Sequence, residues 1–494
     1  MHENLVAAPE QRGRLSGSLG VTSIVFMVVA AAAPLTVVSS NSPLAIALGN
    51  GIGAPYAFLL TAVVLVLFSV GFVTMSPFVK DAGAFFSYVT LGLGRRWGNA
   101  TAAIALVSYT CIQCAVWGFL GVATDNLLQS YGVPGLPWWV YAIAFIVVTG
   151  ALGYRHIDLS AKVLGVALVA EILVVVVYDL VASGRAGAAD LGHAVAPLSD
   201  ATAPGMAAAV TFAIAGFMGF EATVVFRDEA RDPNRTIPRA TYVSVILIGV
   251  FYAVSTFCLI AAVGPSRAVD VANASISGNG TMLIDSMNAM IGGPVGHIVQ
   301  VLLITSLLAC TISFHNVITR YGLAMANRGL LPRRLATIHP SHQSPSFASL
   351  VQSFSAAILL ILLVVIGLDP IAQIYGFMAG VAAVGFLLLM LLTSLAVVAF
   401  FSRRTNVETV TGAGRAVRTR AVPVVAVAAL AACLILVLSK FTLVTALSVP
   451  VSTVIAAVPV VAGLLGLAFR TSAGGPTATA VAAMDELVTT GGTE

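Results

Sequence analysis

Ala30-Ala31-Ala32-Ala33-Pro34 and Gly216-Phe217-Met218-Gly219-Phe220-Glu221 are the two stretches on which the reading of this chain turns. The first interrupts an apolar run from about Val21 to Ala47, the second a run from about Pro204 to Phe226. Proline removes a backbone donor, and glycine weakens a helix by its conformational freedom. In hydrocarbon a freed N–H or C=O finds no water, so such breaks persist only where they line a protein-enclosed cavity. A pair of them at corresponding places in two halves is the sequence mark of a secondary transporter's binding site. A plainer reading stands beside it, in which Pro34 only kinks a helix and the glycines allow close helix packing.

Composition sets the environment. The chain has 494 residues, of which 59% are hydrophobic and only 9% charged, against about 25% charged in soluble domains. About twelve apolar stretches reach the roughly 20 residues that a spanning helix needs, which makes this an all-α membrane protein. With the N-terminus inside, all of the 24 Lys and Arg except Arg185, Arg267 and Lys440 fall on the cytoplasmic side. That bias fixes the orientation and an even number of spans, so both termini are expected in the cytoplasm. The net charge of +4 then reports topology, and no nucleic-acid partner is expected. Arg12 and Arg14 ahead of small residues also fit a cleaved signal, but the apolar run continues past Pro34. Cys111, Cys114, Cys258, Cys310 and Cys433 lie in spans and read as inert packing rather than a disulfide framework.

The two broken spans are each followed by four more. Five is odd, so the second set of five enters from the opposite side, as an inverted repeat requires. The expected organisation is a tail over 1–18, a first repeat over 19–203 broken at 31–34, and a second over 204–402 broken at 215–219. A peripheral pair of spans over 403–470 and a Gly/Ala/Ser/Thr-rich tail over 471–494 complete it.

The chain resembles the amino acid–polyamine–organocation permeases, which have the LeuT-type fold. Three motifs carry the likeness. Gly219-Phe220-Glu221 followed by Asp228-Glu229-Ala230-Arg231-Asp232-Pro233-Asn234-Arg235-Thr236-Ile237-Pro238-Arg239-Ala240 is similar to the family's sixth span and the loop after it. Arg320-Tyr321 with Ala324-Met325-Ala326-Asn327-Arg328-Gly329-Leu330-Leu331-Pro332 is similar to the loop after span eight. Asp81-Ala82-Gly83-Ala84-Phe85-Phe86-Ser87-Tyr88-Val89 is similar to the segment before span three. The resemblance covers about residues 16 to 470. Most relatives carry a Gly-Ser-Gly type sequence where this chain has Ala31-Ala32-Ala33-Pro34.

Unwound helix ends offer amides to a carboxylate and carbonyls to an ammonium, and one amino acid zwitterion satisfies both. Ala31, Ala32, Ala33 and Pro34, with Ala215, Gly216, Phe217 and Gly219, are therefore the expected substrate cradle, and Tyr109 and Gln113 of span three are counted with it. The family often has a bulky aromatic where this chain has Ala215; Phe217 then reads either as a lid or as core. Two acids are expected within the spans, Glu171 in span five and Glu221 in span six. An ionised group at mid-bilayer costs at least a few kcal/mol, so each needs a cavity or a partner. Glu171 stands where the resemblance implies a lysine in several proton-coupled members. It reads as a proton site, an amine ligand or a structural hydrogen bond to a neighbouring Ser or Thr. Glu221 reads as a gating acid or as a cap on amides freed at the break. Thr311 and His315 of span eight share a face; Thr311 or Ser313 is expected beside Glu171, and His315 is either a coupling group or a satisfied structural one. Asp228 and Glu229 are expected in ion pairs.

The expected function is import of an amino acid by proton symport with alternating access, at the cell membrane. A polyamine or amine permease and an amino acid exchanger are the alternatives, and a membrane-embedded sensor or enzyme a third class. No His-Glu zinc motif is present, and the Pro/Ser-rich loop that carries His339 and His342 contains no Asp or Glu. No cofactor is expected, and the expected partners are the substrate, the proton and the bilayer.

Overall fold

The computed structural model describes residues 19–79, 84–155, 161–225, 230–278, 280–327, 329–339, 341, 344–403 and 414–468. Both expected tails, Asp81–Gly83 of the third motif, Asp228, Glu229, Arg328 and His342 lie outside them. Almost every described residue is helical, and ten helices have the length and hydropathy to cross a bilayer. The first, Val21–Phe78, has 58 residues. A straight helix of that length would extend about 87 Å, far beyond a hydrocarbon core of about 30 Å. It turns back at Gly49–Gly53, where Gly49 leaves helical dihedrals and Gly51 takes φ 55°. Val21–Phe78 is thus two spans. With the interrupted helix Met206–Gly216 and Ala222–Val225 as span six, the spans number about twelve.

The remaining spans follow in order. Span three is Arg95–Ser130, span four Trp138–Arg155 and span five Ala161–Arg185. Span seven is Pro233–Val263, span eight Gly293–Asn327 and span nine Ser346–Val365. Span ten comprises Pro370–Tyr375 and Gly376–Arg403, span eleven Val417–Ser439 and span twelve Val449–Ala468. Sequence sets several of these ends. Span ten starts at Pro370, whose missing N–H needs no acceptor, behind Asp369, whose Oδ1 accepts from the amides of Ile371 (2.9 Å) and Ala372 (2.7 Å). Spans three, seven and eight run to 36, 31 and 35 residues, longer than the apolar stretches in the sequence because their polar ends extend past the bilayer core.

Spans differ in what they face. Span three is 78% buried over its most apolar window, whereas spans eleven and twelve are each 28% buried; the first lies inside the bundle and the last two turn Val, Leu and Ile outward to lipid. The end of the bundle that carries Arg95, Arg96, Arg155, Arg333 and Arg334 is called the arginine-rich side below, and the opposite end the far side. On the far side, helices Ala268–Ile276 and Met282–Met290 cover the upper part of span one. On the arginine-rich side, aromatic rings fill the bundle below span six: Phe220 meets Phe68 and Phe386 edge-on at 6.0 Å, and Phe85 meets Phe386 at 5.6 Å. The amide of Arg231 donates to the Leu19 carbonyl at 3.0 Å, joining the start of span one to the segment after span six.

Candidate functional site

Span one breaks at a single residue. The helix Val21–Ala32 ends at Ala33, which adopts φ 46°, ψ 70°, and helix resumes at Pro34. Proline cannot donate and disfavours a helical residue before it, so Ala33 departs from the helix where the sequence placed the break. A left-handed alanine costs about 1–2 kcal/mol relative to the right-handed form. Glycine there escapes this cost but gives up roughly 0.5–1 kcal/mol in unfolded-chain entropy. Ala33→Gly should therefore leave thermal stability unchanged or raise it by up to about 1.5 kcal/mol, while Ala33→Val, β-branched in the same conformation, should lower it. A thermal unfolding series on the two purified variants checks the order, and equal losses in both would mean that the strain is absent.

Span six unwinds over Phe217–Glu221, with Gly219 at φ 110°. The two breaks touch: a Cβ on Gly219 would lie 3.4 Å from Ala31 Cβ and 3.6 Å from the Ala31 carbonyl oxygen. Freed backbone groups find partners in neighbouring side chains. The Ala32 carbonyl accepts from the Tyr252 hydroxyl of span seven at 2.9 Å. The Gly219 amide donates to Glu221 Oε2 at 2.9 Å, and the Tyr109 hydroxyl of span three donates to Glu221 Oε1. Glu221 thus caps one amide freed at the break with Oε2 and ties the break to span three with Oε1. Ala32, Ala33, Pro34, Ala215, Gly216, Phe217 and Gly219 are all buried and Ala31 nearly so. Both breaks are thus shielded from solvent.

Several expected site residues stand apart from this contact. Phe217 is fully buried with its ring edge-on to Tyr252 at 5.7 Å and its tip over Gly249, the core arrangement of its two readings. Gln113 Nε2 donates to the Thr311 carbonyl at 2.9 Å, and Gln113 Oε1 accepts from Gln352 Nε2 at 2.7 Å, so its amide cross-links spans three, eight and nine. Thr311 returns its own hydroxyl to the Leu308 carbonyl. His315 Nε2 lies 2.8 Å from the Ser349 hydroxyl, its ring seated on Gly153 of span four.

Glu171 is buried at mid-span, and its partner on span eight is Ser306, whose hydroxyl donates to Oε2 at 2.8 Å. This corrects the expectation that Thr311 or Ser313 would be that neighbour. At about 100° per residue, position 311 lies roughly 140° around the helix from 306, and 315 is on the opposite side. The hydroxyl of Thr36, three residues past the span-one break, reaches Ser306 at 3.4 Å, so a chain of hydroxyls connects the break to the acid. Among the described residues Glu171 has no ion-pair partner.

A third acid corrects the pair expected from sequence. Asp179, two turns beyond Glu171 on span five, is also buried, and its Oδ2 accepts from the Ser255 hydroxyl of span seven at 2.7 Å. Its place in span five, eight residues after Glu171, is the sequence signal that could have found it. On the far side Tyr375 of span ten donates to Asn41 Oδ1, and Asn41 Nδ2 donates to the Phe212 carbonyl at 2.8 Å, tying the far halves of spans one, six and ten together.

Two interrupted helices in contact at the centre of a bundle of about twelve spans define a broken-helix secondary transporter. The amino acid permease family profile matches residues 23–471, and the chain belongs to that family. An uncharacterized transporter of Mycobacterium tuberculosis is 30% identical over 316 residues, spanning 63% of this chain and 66% of its own length. The serine/threonine exchanger SteT of Bacillus subtilis is 20% identical over 341 residues (67% of this chain, 72% of the relative), and the low-affinity putrescine importer PlaP of Escherichia coli 24% over 257 residues (50% and 54%). The chain thus covers just under two thirds of the mycobacterial relative. The relatives are named as transporters, and none of these as an enzyme. In three dimensions the chain is similar to the crystal structure of a manganese transporter from Eremococcus coleocola in complex with an aromatic bis-isothiourea compound, with a TM-score of 0.56 over 92% of this chain and 97% of that one, at 12% identity. That likeness gives the fold, the LeuT type expected from the sequence.

Proposed function

We propose that this protein imports an amino acid together with a proton, by alternating access around the contact between spans one and six. The observation that carries the reading is Glu171: a buried carboxylate without a cation partner among the described residues, joined through Ser306 to Thr36 beside the span-one break. A carboxylate in such surroundings needs a proton or a cation to offset its charge. Because Ser306 and Thr36 lie on different helices, a change in Glu171 charge acts on both. Ala31–Pro34 and Ala215–Gly219 hold the carboxylate and ammonium of the substrate. Glu221 and Tyr109 hold the span-six break closed, and Gln113, Thr311 and His315 brace spans three, four, eight and nine. Residues 19–203 and 204–402 are the two inverted repeats, 403–470 the peripheral pair, and the arginine-rich side faces the cytoplasm of a cell membrane.

The names of the serine/threonine exchanger and the putrescine importer among the relatives support small hydroxylated amino acids first and diamines second. A specific observation favours the second reading: an unpaired carboxylate at Glu171 also suits an ammonium. Reconstituted protein, given labelled L-serine, L-threonine or putrescine under an imposed inward proton gradient, separates the readings. Accumulation of L-serine or L-threonine above the outside concentration, lost when a protonophore collapses the gradient, is the expected result. Accumulation of putrescine alone would transfer the site to amines, and one-for-one exchange indifferent to the gradient would replace symport by exchange.

A further inference from the structure

Asp179 has no part in the cradle, yet it is 9% exposed and hydrogen-bonded through only one oxygen. Its Oδ1 is buried and accepts no hydrogen bond from the described residues. Its titratable neighbours are Tyr178 on its own helix and Cys258 on span seven. Tyr178 is held by the Ser286 hydroxyl of Met282–Met290 at 2.8 Å, and Cys258 Sγ lies 3.4 Å from the Ser183 hydroxyl. None of these groups is a cation, and among the described residues Asp179 has no ion pair. A fixed anion in this position would leave an oxygen buried in apolar protein with nothing to offset its lost hydration.

The face of span seven that meets Asp179 continues toward the cradle. Tyr252, Ser255 and Thr256, at i, i+3 and i+4, share one side of the helix. Tyr252 donates to the Ala32 carbonyl, Ser255 to Asp179, and Thr256 lies 2.8 Å from the Ser42 hydroxyl of span one. Tyr252 is also a neighbour of Glu171. Hydroxyls thus line the face of span seven between Asp179 and the span-one break, and Glu171 lies about 12 Å down span five from Asp179.

We propose that Asp179 and Ser255 form a second proton-holding site, a far-side station that loads Glu171. In the step, the Asp179 carboxylic acid releases its proton and becomes a carboxylate, while the Glu171 carboxylate takes one up, so charge is conserved across the pair. The station speeds loading; Glu171 still sets how many protons accompany each substrate. This rests on the coupling role given to Glu171 above.

Two measurements test it, each on wild type, Asp179→Asn, Asp179→Glu and Glu171→Gln. Hydrogen/deuterium difference infrared spectra across a pH titration of the purified protein need no substrate. Against the bands of the remaining carboxyl groups, Glu221 included, two wild-type bands should be assignable by substitution: Asp179→Asn loses one, Glu171→Gln the other, and Asp179→Glu keeps two. In proteoliposomes supplied with labelled L-serine, Asp179→Asn should cut initial uptake roughly tenfold at alkaline outside pH, the scale of one coupling interaction, and recover at acidic outside pH. Its final accumulation should match wild type, and Asp179→Glu should restore the profile. A merely structural Asp179 would lower uptake equally at every pH. An Asp179→Asn protein that keeps both bands, or whose pH profile matches wild type, overturns the station. Accumulation by Glu171→Gln would instead overturn the coupling role, leaving the Asp179 band to be read on its own.

Discussion

Glu171→Gln is expected to abolish concentrative uptake of the substrate while leaving exchange across the membrane measurable. Glutamine has the shape of glutamate and keeps a carbonyl oxygen for the Ser306 hydroxyl, so the link from span five through Ser306 to Thr36 survives. What it lacks is a change of charge. In the proposed scheme the proton stabilises the substrate-loaded conformations through Glu171, and a ligand shifts an equilibrium only through differential affinity. Without it the two conformational halves of the cycle still interconvert around substrate, which exchange reports. An imposed gradient of about one pH unit is worth about 1.4 kcal/mol, enough for up to about tenfold accumulation at one proton per substrate. The variant should stop at equal concentrations. Accumulation as in wild type would remove Glu171 from coupling, and loss of exchange together with accumulation would make it a substrate ligand or a folding element.

The broken spans were legible because backbone chemistry alone marks them: Pro34 cannot donate, and Gly219 sits at φ 110°. The number and order of spans followed from hydropathy, even where Val21–Phe78 holds two spans joined only by the short turn at Gly49–Gly53. Side-chain neighbours across helices were not legible, because they depend on the rotation of each helix about its axis. Span eight shows this: its polar residues were all in view, but Ser306 rather than Thr311 meets Glu171, a matter of roughly 140° of rotation. Asp179 was missed for another reason. It sits among valines and leucines near the far end of its span, where an acid reads as a boundary residue until Ser255 is found beside it. Tyr252 carries no sequence signal at all; only the contact between spans one and seven reveals that it caps the Ala32 carbonyl.

Gly219→Ala is expected to reduce transport by one to two orders of magnitude, and the reason lies in dihedral geometry more than in volume. At φ 110° an alanine is outside every region an L-residue occupies readily, at about 1–3 kcal/mol. The added methyl would stand 3.4 Å from Ala31 Cβ, ordinary contact, so space alone does not forbid it. Relief of the strain requires residues 218–220 to rotate, and that moves the Gly219 amide off Glu221 and Glu221 away from Tyr109. A buried donor left without its acceptor adds about 1–3 kcal/mol. Gly216→Ala provides the contrast: Gly216 ends a regular helix, and its methyl would press at 3.0 Å on a Val37 methyl, a crowding that side-chain movement relieves. Gly184→Ala, with nothing within 4 Å, should be neutral or stabilising by up to about 1 kcal/mol. Initial-rate uptake and thermal unfolding on the three variants should rank 219, then 216, then 184 in damage. Equal behaviour of Gly219→Ala and Gly184→Ala would mean that the unwound segment of span six is not held in this conformation while the protein works.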